Sequence, residues 1–265
     1  MPHVQTRVGK VAYESVGSGP PLVLLHSVAH DRHDYDDVLP AFAERFRTIA
    51  VDWPGHGESE MWRDPRQASV GGMCDALEDL ALALDLLPAI FLGNSVGGTA
   101  ILRLCARQPE RVRAAVLVDS GGVTRHSALA RAFCWVQGRE LVRRWTGLSF
   151  AKSYLKTKGP GRDRVLACVA AQRERAGFLE MDAAMWRSFG TVENDMADCA
   201  REVSAPTLIV WGKHDPVLSA SGDGRRLREL IPHATYAEVD AGHVPFVESP
   251  RDFLDVVSPF LESVA

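Results

Sequence analysis

The sequence predicts an α/β fold: a mainly parallel sheet with helices on both faces, and a helical segment inserted into it. Three observations carry this expectation. Short runs that are apolar throughout, at residues 22–25, 89–93 and 114–118, read as strands buried on both sides. Helical stretches with apolar residues three and four apart alternate with them, the pattern of strand–helix–strand units. Between about residue 124 and residue 200 the alternation stops, and no convincing strand is found there.

Taken in order, residues 4–16 read as two short strands turning at Gly9-Lys10. Gly17-Ser18-Gly19-Pro20-Pro21 breaks the chain before the strand that ends at His26. Residues 46–52 read as the next strand and run into Trp53-Pro54-Gly55-His56-Gly57-Glu58-Ser59. A helix over 69–87 takes Ser69 as its cap and sets Leu77, Leu80, Leu84 and Leu87 on one face. The strand at 89–93 leads into a helix that Pro109 stops. After the strand at 114–118 and the inserted segment come strands over 206–212 and 235–239. The last helix opens at Ser249-Pro250, a cap followed by proline in the first turn, and Pro259 is expected to kink or end it early. The core is therefore 1–123 with 201–265, and 124–200 forms a helical cap on it.

The chain of 265 residues, 46% hydrophobic and 24% charged, has the mix of a globular protein with a well-buried core. A net charge of −4 gives no reason to expect nucleic acid or a membrane surface as partner. The first residues lack the apolar core of a signal peptide, and no run is long enough to span a bilayer. Five scattered cysteines, Cys74, Cys105, Cys134, Cys168 and Cys199, read as reduced, packed thiols of a cytoplasmic protein. Segment 124–200 holds 13 Lys and Arg against 8 Asp and Glu, a net of +5. The plain reading is solvated helix faces; the functional one is an entrance favouring anionic substrates.

The chemistry centres on Gly93-Asn94-Ser95-Val96-Gly97, placed where a buried strand turns sharply into a helix. G-x-S-x-G in that context is a nucleophile elbow. The serine sits in a strained conformation and neighbouring chains crowd Gly93 and Gly97. The bland alternative is a serine that caps the helix. A serine hydroxyl needs a base, and His243, on a glycine turn past the last strand with an apolar wall beside it, is the candidate among nine histidines. The base needs a buried carboxylate. Asp215 lies just past the preceding strand; Asp119, ending the strand after the elbow, is its rival. Residues 26–37 hold three His and four Asp, but no ligand set elsewhere completes a metal site, and the mechanism needs no metal or cofactor.

Four motifs in this order resemble the α/β-hydrolase fold family, in its capped haloperoxidase- and esterase-like branch. They are Gly93-Asn94-Ser95-Val96-Gly97, Asp52-Trp53-Pro54-Gly55-His56-Gly57-Glu58-Ser59, Gly212-Lys213-His214-Asp215-Pro216 and Gly242-His243-Val244-Pro245-Phe246-Val247-Glu248-Ser249-Pro250. The resemblance implies an oxyanion site built from the backbone N–H groups of Val96 and Val28. It also exposes a departure: the loop that reads His-Gly in the family is His26-Ser27 here, and serine tolerates a glycine turn less well. Ser27 is thereby a candidate to place its hydroxyl in the pocket.

The expected activity is that of a cofactor-independent serine hydrolase on a carboxylic ester or lactone of a small, fairly apolar molecule. A serine nucleophile excludes the branch of this fold that forms alkyl-enzyme esters on aspartate. Carbon–carbon bond hydrolysis, perhydrolysis, and ligand sensing with little turnover are the alternatives. Large aromatic residues of the insert supply a pocket wall, so some of Trp135, Trp145, Trp186 and Phe189 should line the cavity and the rest should anchor the cap.

Overall fold

The computed structural model describes residues 1–86, 88–125 and 127–265. Strands β1 (His3–Thr6), β2 (Gly9–Val16), β3 (Pro21–Leu25) and β4 (Arg47–Val51) open the chain, with the short helix α1 (Leu39–Ala43) before β4. Next come α2 (Val70–Ala83), β5 (Ala89–Asn94), α3 (Val96–Arg107) and β6 (Val112–Val118). Five helices follow before the next strand: α4 (Ala128–Gln137), α5 (Glu140–Tyr154), α6 (Pro160–Arg173), α7 (Phe178–Phe189) and α8 (Ala197–Glu202). The chain closes with β7 (Thr207–Gly212), α9 (Arg225–Leu230), β8 (Thr235–Val239), α10 (Pro245–Glu248) and α11 (Pro250–Ser263).

The eight strands form one sheet in the order β1-β2-β4-β3-β5-β6-β7-β8. β2 runs antiparallel to its neighbours, and every other pairing from β4 to β8 is parallel. The apolar runs follow from this placement, because successive side chains of a strand point to opposite faces. Leu22, Leu24, Ile90, Leu92, Val116 and Val118 pack with Phe42, Phe253 and Val257 from α1 and α11. Val23, Leu25, Phe91, Leu117 and Ile209 pack on the other face with Leu77, Leu80, Ile101 and Leu104 from α2 and α3. A central strand flanked on both faces has no polar positions to spare. Truncating a side chain such as Phe91 to alanine would cost about 3–5 kcal/mol.

Local signals held in most places. Ser69 caps α2, its hydroxyl accepting from Gly72 N–H, though α2 ends at Ala83. Leu87, expected on that helix, lies outside the described residues. Two expectations need correction. The first turn is at Arg7-Val8, and Gly9, with φ of +136°, already opens β2. Pro259 does not end α11, which continues to Ser263. Both Pro259 and Asp255, whose carbonyl loses its partner, lie on the exposed side, where water can take the bond. Among the described residues, 124–200 contains no strand. All five cysteines are free; Cys74 and Cys105 are buried, and burial pushes both thiols up to about 12. No helix of the described residues is long and apolar enough to cross a membrane.

Candidate active site

The residues singled out above converge at one edge of the sheet, because each follows the carboxyl end of a parallel strand. Ser95 follows β5, Asp119 follows β6, Asp215 lies past β7 and His243 past β8. Adjacent parallel strands deliver their ends to the same level, so residues far apart in sequence meet there.

Ser95 has φ +55° and ψ −113°, a strained conformation for a non-glycine residue. Its side chain makes no capping bond to α3, so the capping alternative does not hold. The crowding expected at the glycines is real. A Cβ on Gly93 would stand 2.5 Å from the carbonyl carbon of Gly97, and one on Gly97 would stand 2.6 Å from Leu25 O. Both contacts are with backbone, which cannot swing aside.

His243 is buried, and its Nδ1 bonds Asp215 Oδ2 at 2.7 Å. Its backbone is held from two sides: its N–H donates to Tyr154 O at 3.1 Å, and its carbonyl accepts from Asn94 Nδ2 at 3.0 Å. Asp215 Oδ1 accepts from the N–H groups of Val217 and Leu218 at 2.7 and 3.2 Å. Burial pushes the Asp215 carboxyl up, but His243 and these two donors outweigh it and leave the group below its ordinary value. Asp119 makes no bond to His243; its Oδ1 accepts from Gly212 N–H at 2.9 Å. Asp119, Asp215 and His243 form the one set of three His, Cys, Asp or Glu residues among the described residues whose potential ligand atoms all lie within 4.8 Å of one another. Ser95 and His243 face one cavity, and among the described residues no hydrogen bond joins them.

Val96 is the first residue of α3, so its N–H has no partner within the helix. The N–H of Val28 has none among the described residues. The loop carrying Val28 is braced by two buried histidines. His56 Nε2 accepts from Ala29 N–H at 3.0 Å while its Nδ1 donates to Pro54 O. His26 Nε2 accepts from Trp53 N–H at 3.0 Å, and Trp53 Nε1 donates to His26 O at 2.7 Å. Burial drives the His56 pKa down to about 4, which keeps it neutral and able to accept. Serine in place of glycine causes no strain at position 27: the positive φ falls two residues on, at Ala29, with φ +67°. Ser27 lines the cavity beside Val28.

The histidines and aspartates of 26–37 direct their polar atoms to the protein itself. His30 Nδ1 bonds Asp34 Oδ2 at 2.7 Å, and its Nε2 bonds the Tyr154 hydroxyl at 2.6 Å. His33 bonds Asp36. Arg32 bonds Asp52, whose other contacts include Glu58 N–H, so the Asp52–Ser59 motif shapes the loops behind the site.

The cavity has a volume of about 260 Å³, and its far wall comes from α4, α5 and α7. Trp186 and Phe189 are in that wall. Trp135 and Trp145 are not, being 58% and 78% exposed, and neither anchors the insert. The reason is helical phase. On α4 the wall takes Ala130, Phe133 and Cys134, spaced three and four apart, which turns Trp135 outward beneath the Arg139 guanidinium. On α5 it takes Arg143, Gly147, Phe150, Ala151 and Tyr154, and Trp145 falls on the opposite side. Sequence reasoning selected the largest aromatics and missed Arg143 and Tyr154; the periodicity from position 143 was the available signal.

Residues 20–250 match the family model described as alpha/beta hydrolase fold. The chain is 29% identical over 262 residues to the pimeloyl-[acyl-carrier protein] methyl ester esterase of Nitrosomonas europaea, covering 93% of this chain and 98% of that one. It superposes on a thermophilic esterase from Thermogutta terrifontis with a TM-score of 0.85 at 23% identity, over 99% and 98% of the two chains. The enol-lactonase from Burkholderia xenovorans gives 0.83 at 23% identity, over 98% and 100%. With a match across most of its length, the chain belongs to the α/β-hydrolase fold family.

Proposed function

We propose that the protein is a serine hydrolase that cleaves a carboxylic ester or lactone of a small, fairly apolar molecule. The observation that carries the reading is the 2.7 Å pair of His243 Nδ1 and Asp215 Oδ2, in which His243 lines a cavity it shares with a strained Ser95. Ser95 attacks the carbonyl as His243 Nε2 takes its proton, and Asp215 fixes the imidazole tautomer and stabilises its charge. The N–H groups of Val96 and Val28 receive the negative charge that develops on the carbonyl oxygen. His243 then protonates the leaving oxygen, and water, activated by the same histidine, releases the acyl group from Ser95. Residues 124–200 act as a cap that closes the cavity and sets which substrates enter.

The test pairs turnover with labelling. Steady hydrolysis of a p-nitrophenyl ester is expected, with a fluorophosphonate modifying Ser95 alone and abolishing it. Label on another residue, or a single slow event per protein molecule, would overturn the reading.

A further inference from the structure

The cavity that holds Ser95 and His243 carries two cationic side chains in its wall, Arg125 and Arg143, and no aspartate or glutamate among the described residues. Arg125 is exposed, on the loop before α4. Arg143 is different, being only 3% exposed. Its Nε donates to Asp182 Oδ2 at 2.7 Å and its Nη1 to Gln137 Oε1 at 2.9 Å. Those two bonds fix the plane of the guanidinium while using two of its five N–H donors. Nη2 has no hydrogen-bond partner among the described residues. It stands next to Gly147, itself in the cavity wall, where a Cβ would come within 3.5 Å of it. The guanidinium also lies 5.0 Å from the ring of Trp186 and 5.7 Å from that of Phe150, both cavity residues.

A buried guanidinium needs partners for its donors, and a purely structural role on α5 would be met by Asp182 alone. Here the group is held through Nε and Nη1, and Nη2 is left without a partner beside a residue of the cavity wall. A planar cation with adjacent N–H groups matches a carboxylate, which can accept from two of them at once. A wall without carboxylates adds no repulsion against such a ligand.

We propose that Arg143 is the substrate-recognition residue of this cavity, and that the preferred substrate is an ester or lactone bearing a carboxylate away from its scissile carbonyl. This rests on the serine hydrolase reading for the reaction, and on Arg143 alone for the substrate class.

The test uses two esters of matched length, monomethyl glutarate and methyl valerate. For the unaltered protein, kcat/KM is expected to favour the half-ester by about 10-fold or more, the size of a charge-assisted hydrogen bond, expressed mainly in KM. Arg143→Gln combined with Asp182→Asn, which removes both members of the buried pair, should erase the preference, with kcat/KM for the half-ester falling to that for methyl valerate. Binding of both esters to Ser95→Ala protein, read by calorimetry, separates the two readings. Tighter binding of the half-ester that disappears with the Arg143 change supports the proposal even if neither ester is hydrolysed. Equal affinity for the two esters, or a preference that survives the double substitution, overturns it.

Discussion

Asp119 and Asp215 leave neighbouring parallel strands with carboxyl oxygens within 4.8 Å of each other, yet their environments push their proton affinities in opposite directions. Asp119 is fully buried, and burial first, then the charge of Asp215, raises it well above the ordinary carboxylate range. Its Oδ2 has no partner among the described residues. Asp215 is held below that range by His243 and two backbone donors, against the effect of burial. The two shifts favour keeping the charge of the pair on Asp215, the side that meets the imidazole. Asp215→Asn should then cost about 10³–10⁴ in kcat by analogy with triad enzymes. Asp119→Asn should cost less than about tenfold, since the amide keeps an oxygen for Gly212 N–H. Steady-state rates on one ester rank the two, and the reverse order would make Asp119 the orienting acid.

The same pair predicts a pH signature in stability. With its pKa raised in the fold, Asp119 releases its proton at higher pH than in the unfolded chain, where release comes near about pH 4. Between those two pH values folded protein binds more protons, and its stability falls as pH rises. Asp119→Asn removes that contribution. The stability of the variant relative to the unaltered protein should increase between pH 5 and pH 8, by up to about 1.4 kcal/mol per pH unit. Urea unfolding at the two pH values measures it. A difference independent of pH would mean that Asp119 is ionised in the folded state.

What could be read from the sequence follows the range of the interactions involved. The positions of Ser95, Asp215 and His243 depend on a strand ending and a turn beginning, and those signals lie within a few residues of each site. Ser95 strain and the closeness of Gly93 to Gly97 belong to the same local turn. The cavity wall depends instead on how α4, α5 and α7 rotate over the sheet, so Trp135 and Trp145, each expected either to line the cavity or to anchor the cap, are exposed and do neither. The link from Asp34 through His30 to Tyr154 spans 124 residues between its last two members, and no local pattern announces it. Pro259 marks a limit of another kind: on the exposed side of α11 water can take the carbonyl that the proline leaves free, and the helix continues.

Tyr154 offers a test of that long-range link. Its hydroxyl is bonded to buried His30, while its carbonyl holds His243 N–H and its ring lies 5.6 Å from the His243 ring. Tyr154→Phe leaves His30 Nε2 buried without this partner, at a cost of about 1–3 kcal/mol in unfolding free energy. Because the carbonyl remains, His243 should stay in place and KM should change more than kcat. A variant as stable as the parent in urea would show that the buried bond contributes nothing.

Trp186 and Trp145 give the sharpest contrast within the insert. Trp186 is buried in the cavity wall, edge-on to Phe133, Phe150 and Phe189 at 5.7, 5.2 and 5.7 Å between ring centres. Trp186→Ala removes the hub of this cluster and should cost about 3–5 kcal/mol, less whatever the wall recovers by closing in. Where the wall does not close, the cavity lengthens, and the preferred acyl chain should lengthen with it across a series of p-nitrophenyl esters. Trp145, exposed on the far side of α5, has no such neighbours among the described residues. Trp145→Ala should shift stability by no more than about 0.5 kcal/mol and leave the chain-length profile unchanged. If both variants changed the profile alike, α5 would have to present a different face to the substrate.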